Sequence, residues 1–280
     1  MNSMRKKIEE LVEYLFTSHG VDLSGFDISF IEKSVARRME SQNHSSYSDY
    51  VTFLKDNQSE VTPLVDSMHI AYSEFFRNPL TFSSLEMLLL PHLWAKKRNE
   101  KSSELRIWSA ACASGQEAYS IAILLDELKQ KSNHKFSYRI FGTDNNPAEL
   151  AKAEKGMFTP EALNNLSMRR IDTYFTRSRD SYFISPLLKN QVDFSYFDLL
   201  TDERACPTPS IFGNFDLVFC SNLLFYYKTE AQIQILEKIA NTLAPGGYLV
   251  TGETERELLK KNNFQEVYAY AAIFQKNFIN

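Results

Sequence analysis

The sequence is poor in cysteine, in long apolar runs and in excess positive charge. Its three cysteines, Cys112, Cys206 and Cys220, contain no CxxC pair and suggest no disulfide framework, a usage typical of a reducing cytoplasm. No apolar run reaches the roughly 18 residues that a membrane span requires, so we expect no membrane insertion. The formal net charge of −4 argues against a nucleic-acid partner.

Motifs for metal binding and for several enzyme classes are missing as well. The five histidines are scattered, and none is paired at metal-ligand spacing, so we expect no metal site. There is no GxSxG segment and no P-loop. The N-terminus begins with basic residues, but Glu9, Glu10 and Glu13 interrupt its apolar positions. It therefore predicts an amphipathic helix and not a secretion signal.

Helical periodicity dominates the first part of the chain. It predicts a helical N-terminal domain over residues 1–72, followed over 73–103 by a linker and a leading helix. Pro79 is placed to start that helix, and Pro91 predicts a kink within it. The apolar positions that repeat at helical spacing in the N-terminal domain are Leu11, Leu15, Phe16, Phe30, Ile31, Val35 and Met39.

From residue 104 onward, apolar runs alternate with helical segments. This alternation predicts an α/β, doubly wound, mostly parallel sheet over residues 104–280. The segment 157–190 interrupts the rhythm and predicts a small β flap insertion. The chain ends in QEVYAYAAIFQKN (265–277), a pattern that favours a terminal antiparallel hairpin.

Seven consecutive small residues, Ser109–Gly115, lie between the first apolar run and the next helix. In doubly wound sheets ligands bind beyond the carboxyl ends of the strands, where small residues let the backbone approach closely. The loop is not GxGxxG, so a dinucleotide oxidoreductase is poorly supported and an adenosine ligand without pyrophosphate fits better. A tight strand–helix turn without a ligand would look similar.

Four polar residues follow later apolar runs. Asp144 suits a ribose-binding acid, although it could instead cap the next helix. Asp198 suits a position near an adenine ring, and a plain loop acid fits equally well. Asn222 and Tyr226 follow the FCSNLLFYY run, where the reactive centre of such a sheet lies. Tyr226 could equally be an amphipathic core edge.

Six blocks in fixed order carry a family resemblance: SEFFRNP, LRIWSAACASGQEAYSIA, GTDNNPAELAKAEKGMF, VDFSYFDLL, FDLVFCSNLLFYY and LAPGGYL. Together they resemble the chemotaxis receptor methyltransferases, the CheR family, over nearly the whole chain. The resemblance implies an S-adenosylmethionine-dependent methyltransferase fold. It implies transfer of methyl to glutamate side chains of chemoreceptors, with S-adenosylhomocysteine as the product.

Residue roles follow from the resemblance, position by position. Arg77 and Tyr226 match residues at the methyl-transfer centre. The basic helix carrying Arg37 and Arg38 matches a helix that faces the receptor in the family. The alternative is a solvated helix face with no partner. The bland alternative for Arg77 is a surface ion pair. The expected cofactor contacts are Ser73, Arg77, Ala111, Gly115, Glu117, Asp144, Asp198, Leu199, Ser221 and Asn222.

The sequence departs from the family pattern near the cofactor. Gln116 replaces an acid, Ala118 a proline, Ser221 an arginine and Ala71 an asparagine, while the late GxSE segment reads GETE (252–255). The flap is short, which argues against tethering of a receptor pentapeptide. These departures leave two alternatives open: a methyltransferase for another carboxylate or protein, and a non-catalytic binding module. We expect a cytoplasmic monomer whose partners are the cytoplasmic helices of chemoreceptors.

Overall fold

The computed structural model describes residues 2–68, 72–98, 104–132, 137–210 and 212–276. Its contacts group the chain into two compact units, each described here by itself. The first unit comprises Met1–Ile70 and Phe225–Gln234, and the second comprises Ala71–Leu224 and Ile235–Asn280. Within the described ranges, no helix is long and apolar enough to cross a membrane.

The N-terminal segment of the first unit contains the helices α1 Asn2–His19, α2 Ile28–Ser41, α3 Tyr47–Asp56 and α4 Val61–Asp66. Asp27 and Ser46 cap α2 and α3 with side-chain oxygens that accept backbone N–H groups. The expected apolar stripe is buried at Leu11, Leu15 and most of α2. Phe16 is an exception, because its side chain is 57% exposed.

The second unit opens with a helical run made of α5 Pro79–Ser84, a π-helical turn over Leu85–Leu89 and α6 Leu90–Lys97. Pro79 occupies the first turn, as the sequence predicts. The irregularity expected at Pro91 falls one turn earlier, in the π turn. Proline has no N–H to donate to the preceding turn, so the hydrogen-bond pattern changes just before it.

A seven-stranded sheet forms the core of the second unit, in the order β6-β2-β1-β7-β8-β10-β9. All neighbours from β6 to β8 are parallel, and β10 pairs antiparallel with both β8 and β9. Its strands are β1 Glu104–Ala110, β2 Ser137–Asp144, β6 Val192–Tyr196, β7 Phe215–Cys220, β8 Leu243–Thr251, β9 Phe264–Tyr268 and β10 Ile273–Lys276. The doubly wound fold and the terminal hairpin are therefore confirmed.

Helices connect the parallel strands: α7 Gln116–Lys131, α8 Pro147–Lys155, α11 Thr229–Thr242 and, after β8, α12 Arg256–Lys261. The direction of winding reverses between the neighbours β1 and β7, which makes their carboxyl ends the switch point of the sheet. The APGG segment (244–247), in which proline and glycine favour a turn, lies within the bounds of β8. Gly246 has φ +71° there, and the pairing with β7 shifts register across the segment.

The insertion forms its own three-stranded antiparallel sheet in the order β3-β5-β4. Its elements are β3 Met157–Phe158, α9 Met168–Tyr174, β4 Phe175–Ser178, β5 Ser181–Ile184 and α10 Pro186–Lys189. The small β flap is confirmed. The contact grouping differs from the predicted domain limits in two places. Residues 225–234 group with the helical unit, and residues 72–98 group with the sheet.

Candidate functional site

The small-residue loop after β1 turns sharply at the carboxyl edge of the sheet. Ala111, Ala113 and Gly115 all have positive φ, at 61°, 46° and 89°. The Cys112 N–H donates to the carbonyl of Thr143 at 2.8 Å, which fastens the loop to the end of β2. Left-handed backbone of this kind is uncommon outside glycine and concentrates at ligand sites.

Gly115 has a packing role beside its place in the loop. A Cβ on Gly115 would come within 2.9 Å of the Ala153 Cβ and 3.1 Å of the Phe194 ring. The start of α7 can therefore approach α8 and β6 only without a side chain here. Glycine at position 115 is therefore required for helix packing, in addition to its expected role in letting a ligand approach the backbone.

Asp144 closes the loop from the end of β2. Its Oδ2 accepts the Ala113 N–H at 2.9 Å, and its Oδ1 accepts the Asn146 N–H at 2.9 Å. The cap of α8 is Asn146 itself, whose Oδ1 accepts the Ala148 N–H. The alternative in which Asp144 is the helix cap is therefore wrong, and its carboxylate is held beside the loop.

Asp198 follows β6 and shapes a turn. Its Oδ1 accepts the N–H groups of Leu200 and Thr201, and its Oδ2 accepts the Asn145 side-chain amide at 3.1 Å. Asp198 therefore does stabilise its own loop, and its carboxylate also contacts Asn145, the residue next to Asp144. Leu199 is buried beside it.

Glu117 lies in the first turn of α7 under two hydroxyl groups. The Ser109 Oγ donates to its carboxylate at 2.6 Å, and the Ser221 hydroxyl hydrogen-bonds to it as well. Burial raises the pKa of Glu117 to about 7, while these hydroxyls and the positive charge of Arg77 oppose that rise. A desolvated carboxylate of this kind suits a cationic ligand.

Arg77 lies close enough to Glu117 to lower that pKa. Its Nη1 donates to the Tyr72 carbonyl at 3.0 Å, and its guanidinium lies 5.0 Å from the centre of the Tyr72 ring. Ser73 is half-buried in the same segment. Arg77 is half-buried and its charge acts on the half-buried Glu117 carboxylate, so it is no ion pair of an exposed surface.

Asn222 begins the turn after β7 with φ 59°. Among the described residues, no group donates a hydrogen bond to its buried Oδ1. Buried carbonyl oxygens are almost always paired in native proteins. The unpaired oxygen therefore points to a donor that a ligand supplies.

Glu255 organises this turn, a role that no motif in the sequence predicted. Its side chain is 2% exposed and accepts N–H groups from the turn after β7 and a hydroxyl and an N–H at the end of β8, at 2.7–2.9 Å. These donors belong to Asn222, Leu223, Leu224, Thr251 and Gly252. Glu255 returns its own N–H to the Gly252 carbonyl at 3.0 Å, and this reciprocal pattern at three-residue spacing is a signal that the GETE segment carries.

Three predicted site residues belong to the helical unit. Tyr226 packs its ring 4.7 Å from that of Phe30. Arg38 donates to the buried Glu60, with Nη2 to Oε2 at 2.8 Å, so its guanidinium already stabilises this unit. Arg37 is exposed and donates to the buried Ser34 at 3.0 Å.

The departures from the family pattern are accommodated locally. Gln116 accepts the Ser114 hydroxyl at 2.9 Å, and Ala118 is fully buried in the core. Ser221 supplies a hydroxyl to Glu117. Ala71 lies outside the described residues. Within the part of the chain that the structure describes, no group of three or more histidine, cysteine, aspartate or glutamate side chains could hold a metal ion.

Comparison with known proteins identifies two family models that cover most of the chain. "CheR methyltransferase, SAM binding domain" matches residues 71–273, and "CheR methyltransferase, all-alpha domain" matches residues 6–69. A chemotaxis protein methyltransferase of Borreliella burgdorferi is 27% identical, over 99% of this chain and 96% of its own. One from Listeria monocytogenes is 30% identical over 85% and 86%, and one from Pseudomonas aeruginosa 29% over 91% and 92%.

Proposed function

Because the chain belongs to the CheR methyltransferase family, we propose that Arg77, Glu117 and Asn222 line the centre at which it methylates glutamate side chains of chemoreceptors. The protein is an S-adenosylmethionine-dependent methyltransferase of chemotaxis, and the expected cofactor is confirmed. The assignment of the centre rests on two groups at the carboxyl edge of the neighbouring strands β1 and β7: the half-buried Glu117 carboxylate and the Asn222 Oδ1, which has no hydrogen-bond partner among the described residues.

The negative charge and the acceptor oxygen at this site fit S-adenosylmethionine, which carries a sulfonium and an ammonium group. Glu117 supplies negative charge in a desolvated place, and Asn222 supplies an acceptor oxygen. We propose that Asp144 accepts ribose hydroxyls, since it lies at the end of the second strand of the doubly wound order. Asp198 and Leu199 would face the adenine. Ser73, Ala111, Gly115 and Ser221 would complete the pocket.

The chemistry needs little proton transfer. Bound S-adenosylmethionine supplies a methyl group activated by positive charge. A glutamate acceptor has a pKa of about 4.3 and is already ionised at neutral pH, so no general base is required. The chain's contribution is to align the acceptor oxygen with the methyl group and to exclude water. Arg77 would steer the acceptor carboxylate or brace that of the cofactor, and Tyr226 would orient the acceptor through its hydroxyl.

A labelled-methyl assay tests the acceptor. Wild type and Arg77→Ala are incubated with radiolabelled S-adenosylmethionine and membranes that contain chemoreceptors. We expect label on the receptor that alkali releases as methanol, as a methyl ester requires, and about a hundredfold slower transfer with Arg77→Ala, since positioning is lost. Alkali-stable label, or label only on other proteins, would contradict glutamyl ester formation on receptors and favour another acceptor. Cofactor binding without any transfer would favour a binding module.

The pH dependence of cofactor binding tests Glu117. Its folded-state pKa of about 7 means that a proton must leave before the carboxylate can face a cationic ligand. Affinity therefore rises with pH, and we expect S-adenosylmethionine to bind about tenfold more weakly at pH 6 than at pH 8. Calorimetry in buffers of different ionisation enthalpy would show proton release at pH 6. Glu117→Gln should bind weakly with a flat profile, and a flat wild-type profile would refute the assignment.

The partner surface follows from the receptor assignment. We propose that the α2 face around Arg37 contacts the cytoplasmic helices of chemoreceptors, which places the enzyme in the cytoplasm. Arg38 would contribute mainly by stabilising this face, because its guanidinium is engaged by Glu60. The proposed form is a monomer. Neutral substitution of Arg37 should then weaken receptor binding and leave cofactor affinity unchanged.

A further inference from the structure

The backbone before Arg77 is held in an unusual conformation. Phe76 has φ 51°, a left-handed value that is rare for a bulky residue and persists only when its surroundings impose it. Its N–H donates to the Ser120 Oγ at 3.0 Å, and Ser120 lies one turn along α7 from Glu117. The direction in which Arg77 leaves the chain thus depends on what holds Phe75 and Phe76.

The flap insertion surrounds Phe75. The Phe75 ring is fully buried and meets the edges of two flap rings, Phe158 of β3 at 4.9 Å and Phe175 of β4 at 5.5 Å between centroids. The Asn165 side-chain amide, also from the insertion, donates to the Phe75 carbonyl at 3.1 Å. Both the side chain and the backbone of Phe75 are therefore anchored to the insertion.

A second flap residue covers Phe76. The Arg170 guanidinium lies 4.5 Å from the centre of the Phe76 ring, a cation–π distance. Arg170 is fixed there by two carboxylates, with Nε and Nη2 donating to Glu127 at 3.0 and 2.7 Å and Nη2 to Glu86 at 2.9 Å. Its side chain is only 16% exposed. Because the Arg170 guanidinium is held by these carboxylates and stacks on the Phe76 ring, it fixes the position of that ring.

We infer that the flap insertion positions Arg77 for catalysis, with Arg170 and Asn165 clamping the Phe75–Phe76 backbone in its left-handed turn. Arg170 and Asn165 are positioning residues, since they act through Arg77. The inference rests on the proposed place of Arg77 at the methyl-transfer centre and, of its two proposed roles, on the one in which it braces the cofactor. It gives the short flap a second task, independent of any receptor segment that it contacts.

Arg169 offers a matched control for Arg170. It lies on the same helix and reaches the same Glu127 at 3.2 Å, but its side chain is 73% exposed. We expect Arg170→Gln to weaken S-adenosylhomocysteine binding about tenfold, because the guanidinium of Arg77 is displaced, while Arg169→Gln stays within about twofold. Calorimetry well below the unfolding temperature measures both. A purely structural role would lower the unfolding temperature and leave this affinity unchanged.

Asn165→Ala provides a variant at an exposed residue, for use if Arg170→Gln does not fold. It removes a single hydrogen bond and should weaken binding about threefold to fivefold, with its neighbour Asn164→Ala as control. Wild-type affinity in folded Arg170→Gln and in Asn165→Ala would overturn the inference. If only Asn165→Ala is folded, wild-type affinity in that variant alone would do so.

A double-mutant cycle separates action through Arg77 from direct action. In an Arg77→Ala background, Arg170→Gln and Asn165→Ala should cause no further loss of affinity. Losses that multiply would overturn the clamp. Because the ligand is S-adenosylhomocysteine alone, a wrong acceptor assignment would leave this result untouched. Unchanged affinity in Arg77→Ala itself would refute the bracing of the cofactor by Arg77, and with it the clamp that acts through this contact.

Discussion

Asp144→Ala is expected to weaken S-adenosylhomocysteine binding by at least about a hundredfold. The carboxylate accepts N–H groups from Ala113 and Asn146, so its removal releases the small-residue loop and deletes the proposed ribose contact together. Two charge-assisted hydrogen bonds correspond to about 3 kcal/mol or more, which is about a hundredfold in affinity. Titration calorimetry measures the loss, and circular dichroism checks that the variant is folded.

Asp193→Ala is the matched control. Asp193 lies on the neighbouring strand β6 and pairs with Arg139 in a partly exposed ion pair, so its removal should change affinity less than about twofold. A folded Asp144→Ala protein that binds within about threefold of wild type would show that the acid closes the loop without touching the ligand.

Glu255→Gln is expected to cause the other large effect, on both stability and activity. An amide places an NH₂ group where the carboxylate now accepts from the backbone of Asn222, Leu223 and Leu224 and from the end of β8. At least one buried N–H then loses its partner, at a cost of about 1–3 kcal/mol in unfolding free energy. Because the turn carries Asn222, kcat/KM should fall about a hundredfold.

Glu253→Gln controls for the change of charge. Glu253 lies with Glu255 in the short helical turn after β8, but its side chain is exposed. Its substitution should shift the unfolding free energy by less than about 0.5 kcal/mol and leave kcat/KM unchanged. Urea unfolding and methyl-transfer rates measure the two effects. Equal behaviour of the two variants would mean that Glu255 does not organise the turn.

Local patterns in the sequence were enough for most elements. The small-residue segment Ser109–Gly115 predicts a helix directly after it, and α7 begins at Gln116. The start of α5 followed from the fixed φ of Pro79. The APGG segment (244–247) lies within β8 although proline and glycine favour a turn, because Leu243 before it and Tyr248 after it both pair with β7.

The functional site likewise contains some residues that local sequence patterns predict and others that they do not. Asp144 and the small-residue loop could be predicted because they adjoin strand ends in the sequence, and parallel strands bring such ends to one edge. The role of Glu255 could not, because its five donors come from two segments, one of them more than 30 residues away. The anchoring of Phe75 and Phe76 by the flap likewise joins residues about 90 positions apart.

The sequence by itself determined the family, the cofactor and the doubly wound fold class, since these depend on motifs and periodicities that are local. Only the tertiary structure decided the order of the strands and the hydrogen-bond partners of the site residues. Asp144, Asp198 and Glu255 are all acids near strand ends, yet their hydrogen-bond partners differ. Burial, which raises the pKa of Glu117 and leaves the Asn222 oxygen without a partner among the described residues, exists only once distant segments pack together.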